Sequence, residues 1–431
     1  MKTPVLAFVA FAFCYGTAWC ADLAGGWQGA WTKDGDALPV TVTFEKSGAG
    51  YSGSFDSDAL QVNGIPFADV SAADGKIHWL LKGDQTTTVF DGALDGETLN
   101  GTFVEGATHG TFALARAGLP EAKVASRDVT LANGNVTLAG TLLLPAAPGA
   151  HAAVLFMQGS GPEGRWANRY LAEKFAENGI AALIYDKRGV GASTGDWQKV
   201  GFDALADDAV AAIRFLRTQS EIDPARIGIY GHSQGGTIAP MVAAKDAHLA
   251  FVIASAAAGI SPADVEHFSI DNSIGTRDLP PAESKDADAY VQALVDVGYR
   301  DKPRAKLDAL AAKFRKRSWY FAPPPPNDSY WTISRKIAAF EPWVWWRQVK
   351  APVLLIYGAH DQRVPPAPSA NSIRAALSAG GNLNVTLKIY PRADHTFTIV
   401  DPAKTGGWPK KEADYGENLV AWVKGLAPHD E

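Results

Sequence analysis

Through residues 25–116 apolar and polar positions alternate with period two, in short runs broken by Gly and Asp at intervals of about ten residues. The runs Val40–Phe44, Tyr51–Phe55, Lys76–Lys82, Thr87–Leu94, Thr98–Val104 and Thr111–Leu114 predict strands with one buried face. Asp74-Gly75, Asp91-Gly92 and Asp95-Gly96 supply tight turns between them. The expected arrangement is an antiparallel meander bent into a small barrel or sandwich, an all-β domain over residues 22–117. Its histidines, His78 and His109, lie far apart, no metal-ligand spacing accompanies them, and the domain carries no legible chemistry. Residues 118–126, with Gly118 and Pro120, read as a linker.

From residue 127 the pattern changes to continuous apolar runs separated by stretches of helical spacing. Val129–Ala132 and Val136–Leu144 flank Asn133-Gly134 and predict a hairpin. Buried-strand runs follow at Ala152–Met157, Ile180–Tyr185, Arg226–Tyr230, Leu249–Ala254, Val353–Tyr357 and Val385–Tyr390. Helices are expected at Trp166–Asn178, Phe202–Thr218, Thr237–Ala244, Ser369–Ser378 and Lys411–Lys424. Strands alternating with helices imply a largely parallel sheet of about eight strands over residues 127–431. The alternation lapses over residues 259–348, where Asp286–Val297 and Lys306–Arg317 read as helices of an insertion.

A chain of 431 residues, 47% hydrophobic and 20% charged, can bury a large core and exceeds the usual size of one domain. Its net charge of −6 argues against nucleic acid as a partner, and the basic run Lys313–Arg317 reads as the solvated side of a helix. Met1-Lys2 followed by the apolar Pro4–Ala18 has the charged start, apolar middle and small-residue exit of a secretory signal, so residues 1–21 are expected to be removed and the protein to be periplasmic or secreted. Trp19 before Cys20 departs from a lipid-anchoring pattern, and no stable membrane anchor is expected. Cys14 and Cys20 both fall in this segment, so the mature chain should have no disulfide. Oligomeric state is not legible.

The chemistry centres on Gly231-His232-Ser233-Gln234-Gly235, a G-x-S-x-G spacing between a buried-strand run and a small-residue helix. The glycines permit a turn too tight for side chains, and the serine is held exposed on it. With Gln158-Gly-Ser-Gly-Pro162 and Tyr185-Asp-Lys-Arg-Gly-Val-Gly-Ala-Ser-Thr-Gly195, residues 126–426 resemble the α/β-hydrolases. The joined β domain makes the whole chain similar to exported bacterial esterases and serine-aminopeptidase-like hydrolases. The resemblance implies an α/β-hydrolase fold with a helical lid at 259–348, preceded by the small all-β domain.

A serine hydroxyl needs a base within hydrogen-bond reach and an anion to orient that base. The family's order is Ser, acid, His. It favours Asp361 in Gly358-Ala-His-Asp361 and His395 in Arg392-Ala-Asp-His395, over their neighbours His360 and Asp394. His232 reads as a packing or hydrogen-bonding residue. One oxyanion donor is expected to be the N–H of Gln234, directly after the nucleophile. The resemblance assigns the other to Ser160, with Gly159 or Gly161 as alternatives, and gives Asp186 and Arg188 a bracing role near the site. The loop Gly189–Gly195 lacks the spacing and the Lys-Ser/Thr ending of phosphate cradles. No metal or cofactor is implied.

The insertion is dense in aromatic residues, among them Trp319, Tyr320, Phe321, Tyr330, Trp331 and Trp343, which together suggest either a lid core or an apolar substrate pocket. The stretch Pro323–Pro326 reads as a stiff connector. The leading expectation is an exported serine hydrolase acting on carboxylic esters. One alternative is a peptidase on small peptides, using the same triad with a lid acid (Glu266, Asp271, Glu283 or Glu341) as anchor for an amino terminus. The other is a non-catalytic envelope-binding protein.

Overall fold

A computed structural model describes residues 22–83, 86–119, 121–401, 403 and 406–426. The expected secretory signal and both cysteines lie outside the described residues. The chain divides into two compact units, one comprising residues up to Ser54 together with Pro66–Leu119, the other Phe55–Ile65 together with Pro120–Glu431.

The first sheet contains β1 (Gly25–Lys33), β2 (Asp36–Ser47), β3 (Gly50–Ser57), β4 (Val62–Pro66), β5 (Asp69–Ala73), β6 (Lys76–Lys82), β7 (Thr87–Asp95), β8 (Thr98–Glu105) and β9 (Thr108–Ala117). It is an antiparallel meander in the order β4-β3-β2-β1-β9-β8-β7-β6-β5, joined through its first and last strands. The sheet curls on itself, because Trp79 of β6 meets Phe44 of β2 edge-on at 5.6 Å while stacking on Phe90 of β7 at 4.7 Å. Trp27, Trp31, Trp79, Phe90 and Phe103 are almost wholly buried, so aromatic side chains from alternate positions fill the inner face.

One expected turn is corrected. Asp91-Gly92 lies inside β7, with Asp91 opposite Thr102 and Gly92 opposite Gly101. Glycine is needed there for packing, since a Cβ at Gly92 would stand 2.5 Å from Cζ of Phe112. His78 and Asp91 form an exposed cross-strand pair at 2.9 Å.

The second sheet has eight strands: β10 (Ala125–Asn133), β11 (Val136–Leu144), β12 (His151–Met157), β13 (Ala181–Tyr185), β14 (Ile222–His232), β15 (Val252–Ser255), β16 (Val353–Gly358) and β17 (Val385–Tyr390). The order is β10-β11-β13-β12-β14-β15-β16-β17, antiparallel through β13 and parallel from β12 onward. Strand residues alternate between two apolar layers. Ala153, Leu155 and Met157 join one core, Val154 and Phe156 the other. The second core is covered by α1 (Arg169–Glu177) and α10 (Tyr415–Lys424), the first by α2 (Phe202–Arg217), α3 (Gln234–Lys245) and α9 (Pro366–Ala379). The strand and helix patterns predict this largely parallel sheet, and the family resemblance implies its α/β-hydrolase architecture.

Between β15 and β16 lie α4 (Pro262–Ser273), α5 (Pro281–Tyr299), α6 (Ala305–Phe314), α7 (Ser329–Ile337) and α8 (Pro342–Trp346). Two of these five helices are the expected ones. Trp319 and Trp331 pack with Tyr290 and Phe314 into a core of the insertion itself, and Trp346 is buried against the sheet's first core. These aromatics are therefore structural. The proline stretch lies outside the helices and ends in a turn, and the Trp331 indole N–H donates to the carbonyl of Pro325 at 2.7 Å.

Candidate active site

Ser233 sits between β14 and α3 with φ 53° and ψ −115°, a conformation that costs a non-glycine residue of order 1–3 kcal/mol. Close contacts around it impose this turn. A Cβ on Gly231 would lie 2.2 Å from the carbonyl carbon of Gly235, and one on Gly235 would lie 2.8 Å from the carbonyl oxygen of Gln158. The Ser233 N–H donates to the carbonyl of Ser255 at 2.8 Å, which ties the elbow to β15.

Two loops at the carboxyl ends of neighbouring strands bring Asp361 and His395 to this serine. Nδ1 of His395 lies 2.7 Å from Oδ2 of Asp361, and its Nε2 lies 3.0 Å from Oγ of Ser233. A carboxylate can only accept, so Nδ1 carries the proton and Nε2 is left to accept from the serine hydroxyl. Asp361 is fully enclosed, and its other oxygen accepts from the N–H groups of Arg363 and Val364, each at 2.8 Å. Its neighbour His360 is exposed. Asp394 turns away to accept from the N–H groups of Thr396 and Thr398, closing the loop that carries His395.

Phe397, at φ 59°, stacks on Tyr415 at 4.2 Å and backs this loop. His232 packs beside the His395 ring at 4.9 Å, and its Nδ1 reaches Oγ of Ser255 at 3.3 Å. Desolvation holds the His232 imidazole well below its ordinary pKa, which keeps a second cation out of the site.

The expected oxyanion donors sit on both sides of the elbow. Gln234 is the first residue of α3, whose opening N–H groups have no partner within the helix. In the loop after β12, the Gly159 N–H already donates to Oε2 of Glu163 at 2.6 Å, which removes it from the alternatives. Ser160 is exposed, and Gly161 adopts φ 85°. Gln158 is buried and donates from its side chain to the carbonyl of Tyr185, pinning this loop to β13.

Asp186 accepts from the N–H of Arg165 at 2.8 Å and from its guanidinium at 3.0 Å, and Arg188 grips Asp208 in a buried bidentate pair at 2.7 Å. Between them, Lys187 reaches the loop after β12, a contact that sequence reading missed. Its partners are some 26–28 residues upstream and 47 residues downstream, and no local motif announces them. Among the described residues, His267, Asp271 and Asp288 in the insertion also lie close enough to share an ion. They pair with one another, His267 lying 3.0 Å from Asp288 and 3.3 Å from Asp271.

A family model described as X-Pro dipeptidyl-peptidase (S15 family) matches residues 133–386, more than half of the chain. Among curated proteins, the chain is 33% identical over 127 residues to the quorum-quenching protein AidA of Acinetobacter baumannii, covering 29% of this chain and 42% of that one. It is 38% identical over 85 residues to the thiohydrolase aneE of Aspergillus aculeatus, covering 20% and 27%. The chain spans half or less of the length of the curated relatives it matches. Similar solved structures include an esterase of Pyrococcus furiosus, at 18% identity and TM-score 0.47 over 71% of this chain and 92% of that one. Another is a hypothetical protein, PA2218, of Pseudomonas aeruginosa, at 20% identity and TM-score 0.48 over 71% and 95%.

Proposed function

The chain belongs to the X-Pro dipeptidyl-peptidase (S15) family and is a hydrolase of the α/β fold; from that premise we propose that it is an exported serine hydrolase that cleaves small carboxylic esters. The observation that carries the reading is the continuous hydrogen-bonded chain from Ser233 Oγ through His395 to enclosed Asp361. Nε2 of His395 takes the hydroxyl proton as Oγ attacks the acyl carbon, and the imidazolium then returns that proton to the departing alkoxide. An acyl group remains on Ser233. Water deprotonated by the same nitrogen attacks it, and the acid leaves as Oγ recovers its proton. The N–H groups of Gln234 and Ser160 receive the negative charge that develops on the acyl oxygen. Export rests on the pattern of the first 21 residues.

The ester reading is favoured over the peptidase reading by the state of the lid acids. Glu266 is partly buried and accepts from the Tyr330 hydroxyl at 2.9 Å, and Asp271 is engaged by His267 and Thr276. Glu283 accepts from Arg317 and from the Trp319 indole, while Glu341 is exposed. Asp271 and Glu283 are thus taken by other donors, so an amino terminus would have to be held by Glu266, which meets a neutral hydroxyl, or by exposed Glu341. The family match keeps cleavage of small peptides as the second reading. Steady-state hydrolysis of a short p-nitrophenyl acyl ester, measured beside a dipeptidyl p-nitroanilide, separates the two. Ester turnover that disappears in Ser233→Ala, with little anilide release, is the expected result. Ser233-dependent anilide release at equal or higher kcat/KM would replace the ester reading by the peptidase one.

A further inference from the structure

We propose that Lys187 is a positioning residue for the oxyanion hole, fixing the loop 159–161 and the first residue of α3 around one buried ammonium. The proposal rests on Ser233 being the nucleophile. Lys187 is 3% exposed, and its Nζ donates to the carbonyl of Gly159, to the carbonyl of Gly161 at 2.7 Å and to Oε1 of Gln234 at 3.4 Å. All three acceptors are neutral. Its hydrogen-bond acceptors are dipoles, with Glu163 the nearby negative charge, and burying a cation in this way is an expensive arrangement, retained where the charge has a use.

Geometry supplies that use. The Gly159–Ser160 peptide is trans, so its N–H and C=O point in opposite directions. With the Gly159 carbonyl drawn to Nζ, the Ser160 N–H must face the other side of the loop, and with the Gly159 N–H committed to Glu163 the loop cannot easily rotate. On the far side, the contact with Oε1 ties the side chain of Gln234, the first residue of α3, to the same ammonium. One side chain thus orients both candidate donor residues. It also leaves a positive charge behind the site where negative charge develops.

The groups facing Lys187 are few. Glu163 favours its charged form, while Gln158, Tyr185, Asp208 and Gln234 line a small cavity with it, Asp208 being taken by Arg188. Trp197 lies 5.5 Å from the ammonium. Desolvation outweighs Glu163 and lowers the Lys187 pKa to about 8. The ammonium is therefore intact below that pH and is lost as pH rises through it.

The test uses the full chain, a p-nitrophenyl acyl ester and phenylboronic acid as a mimic of the tetrahedral adduct. Lys187→Met is expected to lower kcat about 10–100-fold with KM changed less than about three-fold, and to weaken phenylboronic acid in parallel. Lys187→Gln keeps N–H donors without charge and should fall between the two. In the wild type, kcat should decline above about pH 8, and this limb should flatten in Lys187→Gln. Should Lys187→Met not fold, Lys187→Gln and the wild-type profile decide. Unchanged kcat and boronate affinity in a folded variant, or a wild-type profile flat to pH 9.5, overturn the role of Lys187 alone. Wild-type turnover that does not depend on Ser233 overturns the hydrolase reading and this role with it.

Discussion

Asp361 has little freedom, since one oxygen is held by two backbone N–H groups and the other by His395. Asp361→Asn preserves this shape but offers an amide where the imidazole needs an acceptor, so Nδ1 loses its proton to Nε2 and the base is blocked. The expected fall in kcat is about 10⁴-fold with little change in KM or thermal midpoint, measured by steady-state kinetics and unfolding. Asp361, His395 and Ser233 were legible because each stands in a short local pattern at the end of a buried-strand run. Lys187 and Glu163 were not. What they do depends on which carbonyl or N–H they meet across the loops, and that is settled only when the strands align.

At the scale of elements, the nucleophile elbow depends on backbone approaching backbone. Gly231→Ala would place a methyl 2.2 Å from the Gly235 carbonyl carbon, and neither β14 nor α3 can retreat from its neighbours. The substitution is expected to cost at least about 3 kcal/mol, read by denaturant unfolding, and to abolish turnover. The central strands of the second sheet, β12, β13 and β16, were legible because both faces are buried and the apolar runs are continuous. The first sheet was less so. β1 has glycines at three places among large aromatics, and β4 and β5 are short edge strands with few buried positions, so none shows clear alternation. In the insertion, α4 was hidden by partial burial on all sides, and α8 by its five-residue length.

For the whole molecule, two units with separate cores imply two unfolding events. Trp79 is wholly buried in the first unit, and Trp79→Ala should cost that unit about 3–5 kcal/mol. Calorimetry is expected to show two transitions, with this substitution lowering one of them; a single transition would mean that the units unfold as one. Both units were visible in the sequence as a change of period, from two to a mixture of buried runs and helical spacing. The grouping of residues 55–65 with the second unit was not visible, because along the chain they lie between strands of the first sheet.

Everything proposed for this site requires Ser233 to become covalently acylated with His395 as its base. The most direct measurement is the intact mass of the protein after exposure to a fluorophosphonate, with the modified peptide located by fragmentation. One adduct per chain on Ser233, absent from Ser233→Ala and strongly slowed in His395→Ala, is the predicted result. An active protein that takes no adduct, or takes it at another residue, would contradict the account.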